Sequence, residues 1–165
     1  MEVREKTVIV AGVAGCGKTT IGRALAERLR WTFVEADDFH SQAAKHKMAA
    51  GQALNDNDRA DWLVALNATL LELAPAVLAC SALRHVYREQ LAAGLSARFV
   101  WIEVSPELAR ERVAGRADHF MPPSLIDSQF ATAETPTKAI FLDARNSVAQ
   151  SVQTCIEELA DFVAD

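Results

Sequence analysis

The run Gly12-Val13-Ala14-Gly15-Cys16-Gly17-Lys18-Thr19 restricts this chain to few folds. It reads G-x-x-x-x-G-K-[ST] and stands where that pattern has meaning. An apolar strand, Thr7–Ala11, precedes it, and a helix, Thr20–Arg30, follows, with Ile21, Leu25 and Leu29 at helical spacing. Gly12, Gly15 and Gly17 free the backbone to turn several N–H groups inward around an anion. The helix N-terminus adds its own unpaired N–H groups and partial positive charge. Lys18 can then reach β- and γ-phosphates, and the Thr19 hydroxyl can ligate Mg²⁺. A nucleoside triphosphate is the expected ligand.

Strands and helices alternate along the rest of the chain. Strands are expected at Trp31–Val34, Ala76–Cys80, Arg98–Val104 and Ala139–Asp143. Helices are expected at Ser41–Ala50, Arg59–Leu73, Leu83–Ala93, Pro106–Arg116 and Ser147–Val163, with a short one at Ser124–Phe130. Asp56-Asn57-Asp58 supplies cap-type residues before the long helix, whose Trp62, Leu66, Leu70 and Leu73 share a face. This alternation predicts a three-layer α/β fold with a five-stranded parallel sheet and ligands at the carboxyl ends of the strands. One domain, residues 1–165, is expected, without repeats or linkers. Residues 118–136, bounded by Pro122, Pro123 and Pro136, read as a lid over the substrates.

Composition removes several classes. A net charge of -5 argues against a general nucleic-acid binder. No apolar run approaches the ~20 residues of a membrane span, and the charged start Met1-Glu2-Val3-Arg4-Glu5-Lys6 is unlike a secretory signal. Three cysteines at unrelated spacings give neither a disulfide framework nor a zinc site, so a cytoplasmic protein is expected. Cys80 and Cys155 read as buried thiols, and Cys16 as a small side chain inside the loop.

Other strand ends carry the chemistry. Glu35 and Asp37 close the second strand on alternate residues, so both carboxylates can approach the space above the phosphate loop. One can orient Mg²⁺-bound water while the other accepts a proton from an attacking hydroxyl. Lys47, Arg59, Arg84, Arg88, Arg112, Arg116 and His119 supply cationic and polar groups further on. Arg112 and Arg116 form an i,i+4 pair at the base of the lid, placed to meet nucleotide phosphates. The chain has no N-K-x-D guanine signature and no aspartate closing the third strand, which disfavours a GTPase or a motor.

Longer blocks make the sequence recognisable. Asp37-Asp38-Phe39-His40, Lys47-Met48-Ala49-Ala50-Gly51 and Leu54-Asn55-Asp56-Asn57-Asp58-Arg59 with Trp62-Leu63 resemble the gluconate kinase (gluconokinase) family. So do Cys80-Ser81-Ala82-Leu83 with Tyr87-Arg88, and His119-Phe120-Met121-Pro122 leading to Asp127-Ser128-Gln129-Phe130. The resemblance runs from the phosphate loop to about Pro136. It implies a nucleoside monophosphate kinase-like P-loop fold, ATP- and Mg²⁺-dependent phosphorylation of D-gluconate at O6, and a homodimer. It implies Lys18, Asp37 and Arg116 as catalytic residues, Asp37 being the base. The ATP site would comprise Gly12, Gly15, Cys16, Gly17, Lys18, Thr19 and Thr20 with Arg112 and Arg116, and the metal would rest on Thr19 and, through water, Glu35. Asp37, His40, Lys47, Arg59, Arg84, Tyr87, Arg88, His119 and Gln129 would surround the acceptor.

Gluconate carries a carboxylate at the end remote from its reacting hydroxyl, so its pocket needs cations besides Lys18. Lys47, Arg59, Arg84 and Arg88 are all candidates. The chain departs from the family pattern at Ala36, Ser41, Ala44, Ala53, Asp61 and Asp118, all on the acceptor side. The competing readings are a kinase of the same fold for shikimate or another sugar acid, and a non-catalytic nucleotide-binding module.

Overall fold

The computed structural model describes residues 6–116 and 121–164. Its centre is β1 (Lys6–Ala11), whose residues from Thr7 onward are all buried, as expected of a parallel strand covered on both faces. β1 lies between β3 (Ala76–Ala79) and β4 (Ser96–Glu103), with β2 (Thr32–Glu35) outside β3 and β5 (Ile140–Asp143) outside β4. All neighbours are parallel, and Val10 aligns with Ala79 on one side and Val100 on the other. The chain leaves β1 toward β2 and later crosses back to β4, so a crevice opens at the carboxyl end of β1. The phosphate loop occupies that end.

Alternation along β1 sorts the core into two layers. Val8 and Val10 face α1 (Lys18–Leu29), α7 (Val148–Glu158) and α8 (Ala160–Ala164), through Leu25, Val152, Cys155 and Phe162. Ile9 and Ala11 face α3 (Asp56–Leu73) and α4 (His85–Ala92), through Leu66, Leu70, Tyr87 and Leu91. A smaller cluster of Ala109, Val113 and Ile126 joins α5 (Pro106–Ala114) to α6 (Pro123–Thr132) and receives the Ala14 side chain of the phosphate loop.

The five-stranded parallel sheet is as expected, but several boundaries move. α3 starts at Asp56, a turn before the expected Arg59, because Asn55 is the cap. Its side chain accepts from the Asp58 N–H at 2.9 Å, and the Asp58 carboxylate accepts from the Asn55 N–H at 2.8 Å. β2 runs into a 3₁₀ turn, Ala36–Phe39, capped by Glu35, and α2 (Gln42–Ala49) follows. β4 begins at Ser96 rather than Arg98, and the closing helix breaks at Leu159 into α7 and α8.

Candidate active site

Glycine is needed where the phosphate loop touches α5. Gly15 has φ +83°, and a Cβ there would lie 2.7 Å from the Ala109 carbonyl oxygen. Gly17, at φ +104°, turns the chain into α1, so the helix N-terminus faces the crevice. The loop is gripped from several sides. Lys18 Nζ donates to the Val13 carbonyl at 3.2 Å, and the Gly12 N–H donates to the Ser81 carbonyl at 3.2 Å. Arg112 Nη1 donates to the carbonyls of Gly15 and Cys16 at 3.2 and 3.3 Å, while its Nη2 donates to the Ala144 carbonyl at 2.6 Å. From α6, Gln129 Oε1 accepts the Ala14 N–H at 2.7 Å.

A cavity opens on each side of this loop. One, of about 590 Å³, is lined by Lys18, Thr19, Glu35, Asp37, His40, Arg59 and Gln129. The other, toward β5, is lined by Cys16, Thr20, Arg112, Ala144 and Asn146. Gly15, Gly17 and Arg116 line both.

In the first cavity the Thr19 hydroxyl donates to Glu35 Oε2 at 2.5 Å. That hydroxyl and carboxylate, at the phosphate loop, match what Mg²⁺ takes from protein when phosphates and waters supply its other ligands. Among the described residues no three His, Cys, Asp or Glu side chains converge into a metal cage. Asp37 is largely exposed, its carboxylate 3.7 Å from His40 Nε2. The His40 ring stacks on Trp62, and its Nδ1 is buried without a hydrogen-bond partner among the described residues. Burial lowers the His40 pKa, against the raising effect of Asp37; Arg59 and Lys45 add to the lowering. Arg59 is fixed by donating to the Leu54 carbonyl at 2.6 Å and to the Tyr87 hydroxyl at 3.3 Å. With five N–H donors, a guanidinium held this way keeps others for a ligand.

Several expected acceptor residues stand behind the wall instead of on it. Lys47 is paired with Asp58 at 2.6 Å, and the cavity face of α2 is Lys45, Met48 and Ala49, at i, i+3 and i+4. Arg84 is taken by Glu134 at 3.1 Å and Asp56 at 3.6 Å. The Tyr87 hydroxyl donates to Asp56 Oδ1 at 2.5 Å, and the guanidinium groups of Arg59 and Arg84 lie 5.2 and 5.6 Å from its ring centroid. Arg88, only 4% exposed, donates to the carbonyls of Ala82 and Glu134, each at 2.8 Å. It thereby holds Ala82, whose φ of +40° is unusual for a residue with a side chain. Gly12 lines neither cavity, and a Cβ there would meet Cys16 Sγ at 2.8 Å. Asp118 and His119 lie outside the described residues.

Two contributors escaped the sequence reading. Lys45 lines the first cavity, and the β5–α7 loop brings Ala144 and Asn146 to the second. The position of that loop at the carboxyl end of a strand was the available signal.

Comparison with known proteins gives a consistent result. The family model for shikimate kinase matches residues 14–160. The gluconokinase of Gluconobacter oxydans (strain 621H) is 45% identical over 141 residues, covering 82% of this chain and 79% of that protein. The crystal structure of a gluconokinase from Sinorhizobium meliloti 1021 has a TM-score of 0.87 at 33% identity, covering 99% of this chain and 96% of that one. A shikimate kinase from Bacteroides thetaiotaomicron has a TM-score of 0.63 at 19% identity, covering 93% of this chain and 98% of that one, and shares the fold.

Proposed function

This chain belongs to the gluconokinase family, within the wider group of P-loop kinases that the shikimate kinase family model describes, and from that premise we propose how its cavities divide the reaction. It is an ATP-dependent phosphotransferase that converts D-gluconate to 6-phospho-D-gluconate. The observation that carries the site reading is one cavity holding Lys18, Thr19, a largely exposed carboxylate at Asp37, and the cations Lys45 and Arg59.

In this reading the phosphate-loop N–H groups and Lys18 hold the β- and γ-phosphates, and Arg112 lies beside the nucleoside. Asp37 accepts a hydrogen bond from the 6-hydroxyl and takes its proton as the new O–P bond forms and the β–γ bridging oxygen departs with ADP. Arg116 meets the charge that redistributes over the γ-phosphoryl group. Arg59 and Lys45 hold the carboxylate of the acceptor. Thr19 and, through water, Glu35 would hold Mg²⁺, which would supply charge neutralisation to the phosphates. Residues 118–136 serve as the lid, and a homodimer in the cytoplasm completes the proposal. The exposed Val64 and Leu71, two turns apart on α3, support the dimer, and free cysteines at 16, 80 and 155 support the compartment.

An ADP-release assay over D-gluconate, other sugar acids and shikimate tests the acceptor. D-Gluconate is expected to give the highest kcat/KM. A stronger response to shikimate would overturn the acceptor assignment while leaving a kinase.

A further inference from the structure

One peptide group in the phosphate loop is held at both ends. Its C=O belongs to Val13 and accepts from Lys18 Nζ at 3.2 Å. Its N–H belongs to Ala14 and donates to Gln129 Oε1 at 2.7 Å. The peptide unit is planar, and in the trans form its C=O and N–H point opposite ways. Whatever fixes one end therefore fixes the direction of the other. We infer that Gln129 is a positioning residue for Lys18, acting across α6 and the phosphate loop through the Val13–Ala14 peptide. This rests on the kinase reading above and replaces the expectation that Gln129 acts mainly as an acceptor ligand.

The surroundings suit a rigid grip. Because the donor is a backbone N–H, the amide must present its oxygen there, which settles its orientation. Among the described residues the other end of the amide, Nε2, has only a long contact of 3.9 Å to the Met121 sulfur. The Ala14 methyl packs into the Ala109–Val113–Ile126 cluster, so the peptide is wedged by carbon as well as bonded. α6 is itself tied down, by an Arg110–Asp127 ion pair to α5 and, just past its end, by the Glu134 N–H donating to the Leu83 carbonyl at 2.7 Å. The Val13 carbonyl also accepts from the Cys16 N–H at 3.2 Å, so one end of the peptide keeps a tether; losing the Gln129 bond frees the other end, and the peptide can tilt away from the direction that gives the ammonium its fixed starting point. The positive charge would remain, but its placement toward the phosphates would not.

A double-mutant cycle tests this. Gln129→Met is nearly isosteric, suits the Met121 sulfur beside it, and cannot accept the N–H. Affinity for a non-hydrolysable ATP analogue is measured by calorimetry in the wild type and in a Lys18→Met background, with melting curves for all four proteins. Gln129→Met is expected to weaken binding roughly 3- to 10-fold when Lys18 is present and less than about 2-fold when it is absent. It should also lower kcat with gluconate. Equal losses in both backgrounds would reduce Gln129 to an anchor for α6 and overturn the proposal, as would wild-type affinity and kcat. Gln129→Asn, one methylene too short to reach, goes through the same cycle and is expected to match Gln129→Met. Analogue binding needs no acceptor, so an error in the acceptor assignment would appear in the sugar-acid panel and leave this cycle unchanged.

Discussion

His40 lies flat against Trp62, with ring centroids 4.3 Å apart and planes inclined by 15°. The indole beneath it is fixed by donating to the Ala36 carbonyl at 2.8 Å. Burial at this stack holds the His40 pKa below its ordinary 6.5, with Arg59 and Lys45 acting in the same direction and Asp37 against it. The unfolded chain therefore binds that proton more readily than the folded one. Stability linked to His40 is full above pH 6.5 and declines as pH falls from there toward the folded pKa. The melting temperature of the wild type should drop more steeply between about pH 7 and 5.5 than that of His40→Gln. Parallel curves would mean that the stack tolerates the imidazolium.

Lys18→Met should retain the fold and lose most turnover. Removing one aimed electrostatic contact to transferring charge typically lowers kcat on the order of 10²- to 10³-fold. Steady-state ADP release, with circular dichroism to confirm folding, checks it. Near-normal turnover would contradict the role given to the phosphate-loop lysine.

Asp37→Asn keeps the shape of the side chain but removes its basicity. Turnover should fall on the order of 10²- to 10⁴-fold, with ATP affinity close to the wild type. Calorimetry and ADP release are run on the same preparation. A joint fall in both would assign Asp37 to the nucleotide and metal side and make Glu35 the better base.

Lys45 and Lys47 should separate cleanly. Lys45→Gln removes a charge from the cavity wall and is expected to raise the gluconate KM about tenfold or more, the scale of a lost charge-assisted hydrogen bond. Lys47→Gln breaks a partly exposed pair with Asp58, whose contribution to stability is small, and should leave KM within about twofold. The reverse ranking would move the acceptor to the other face of α2.

Arg88→Met should destabilise by about 2–4 kcal/mol, because the Ala82 and Glu134 carbonyls lose a charged donor. Arg84→Gln, at an exposed guanidinium, should leave the unfolding midpoint close to that of the wild type. Urea unfolding of both variants decides. Similar midpoints would show that the buried guanidinium is not what holds the two loops.

The layer architecture was legible because alternation of apolar strands and amphipathic helices is a local signal. Which strands are neighbours was not, since nothing in β1 itself specifies that β3 and β4 flank it. The phosphate loop was readable for the same local reason: glycines, lysine and threonine act within one turn of chain. The cations on the cavity wall were harder. Lys45 and Lys47 stand about 200° apart around a helix, and the short α2 has too weak an apolar pattern to say which faces inward. Arg88 did leave a trace, because Tyr87 and Leu91 are buried at i−1 and i+3, which places it on the core side of α4. The cap of α3 was misplaced because Asp56, Asn57 and Asp58 are cap-type residues too, and the reciprocal bond with Asp58 selects Asn55.

Gly15, Gly17 and Arg116 form a partition with a cavity on either side. With nucleotide in one cavity and acceptor in the other, as proposed, this partition is a route by which the binding of each can be coupled to the other. If nucleotide tightens the hold on the acceptor by some factor, the acceptor must tighten the hold on nucleotide by that same factor, whichever arrives first. Order of addition is then a question of access and rate, while the final affinities are symmetric. Under such coupling, the prevailing concentration of either substrate sets how well the enzyme binds the other.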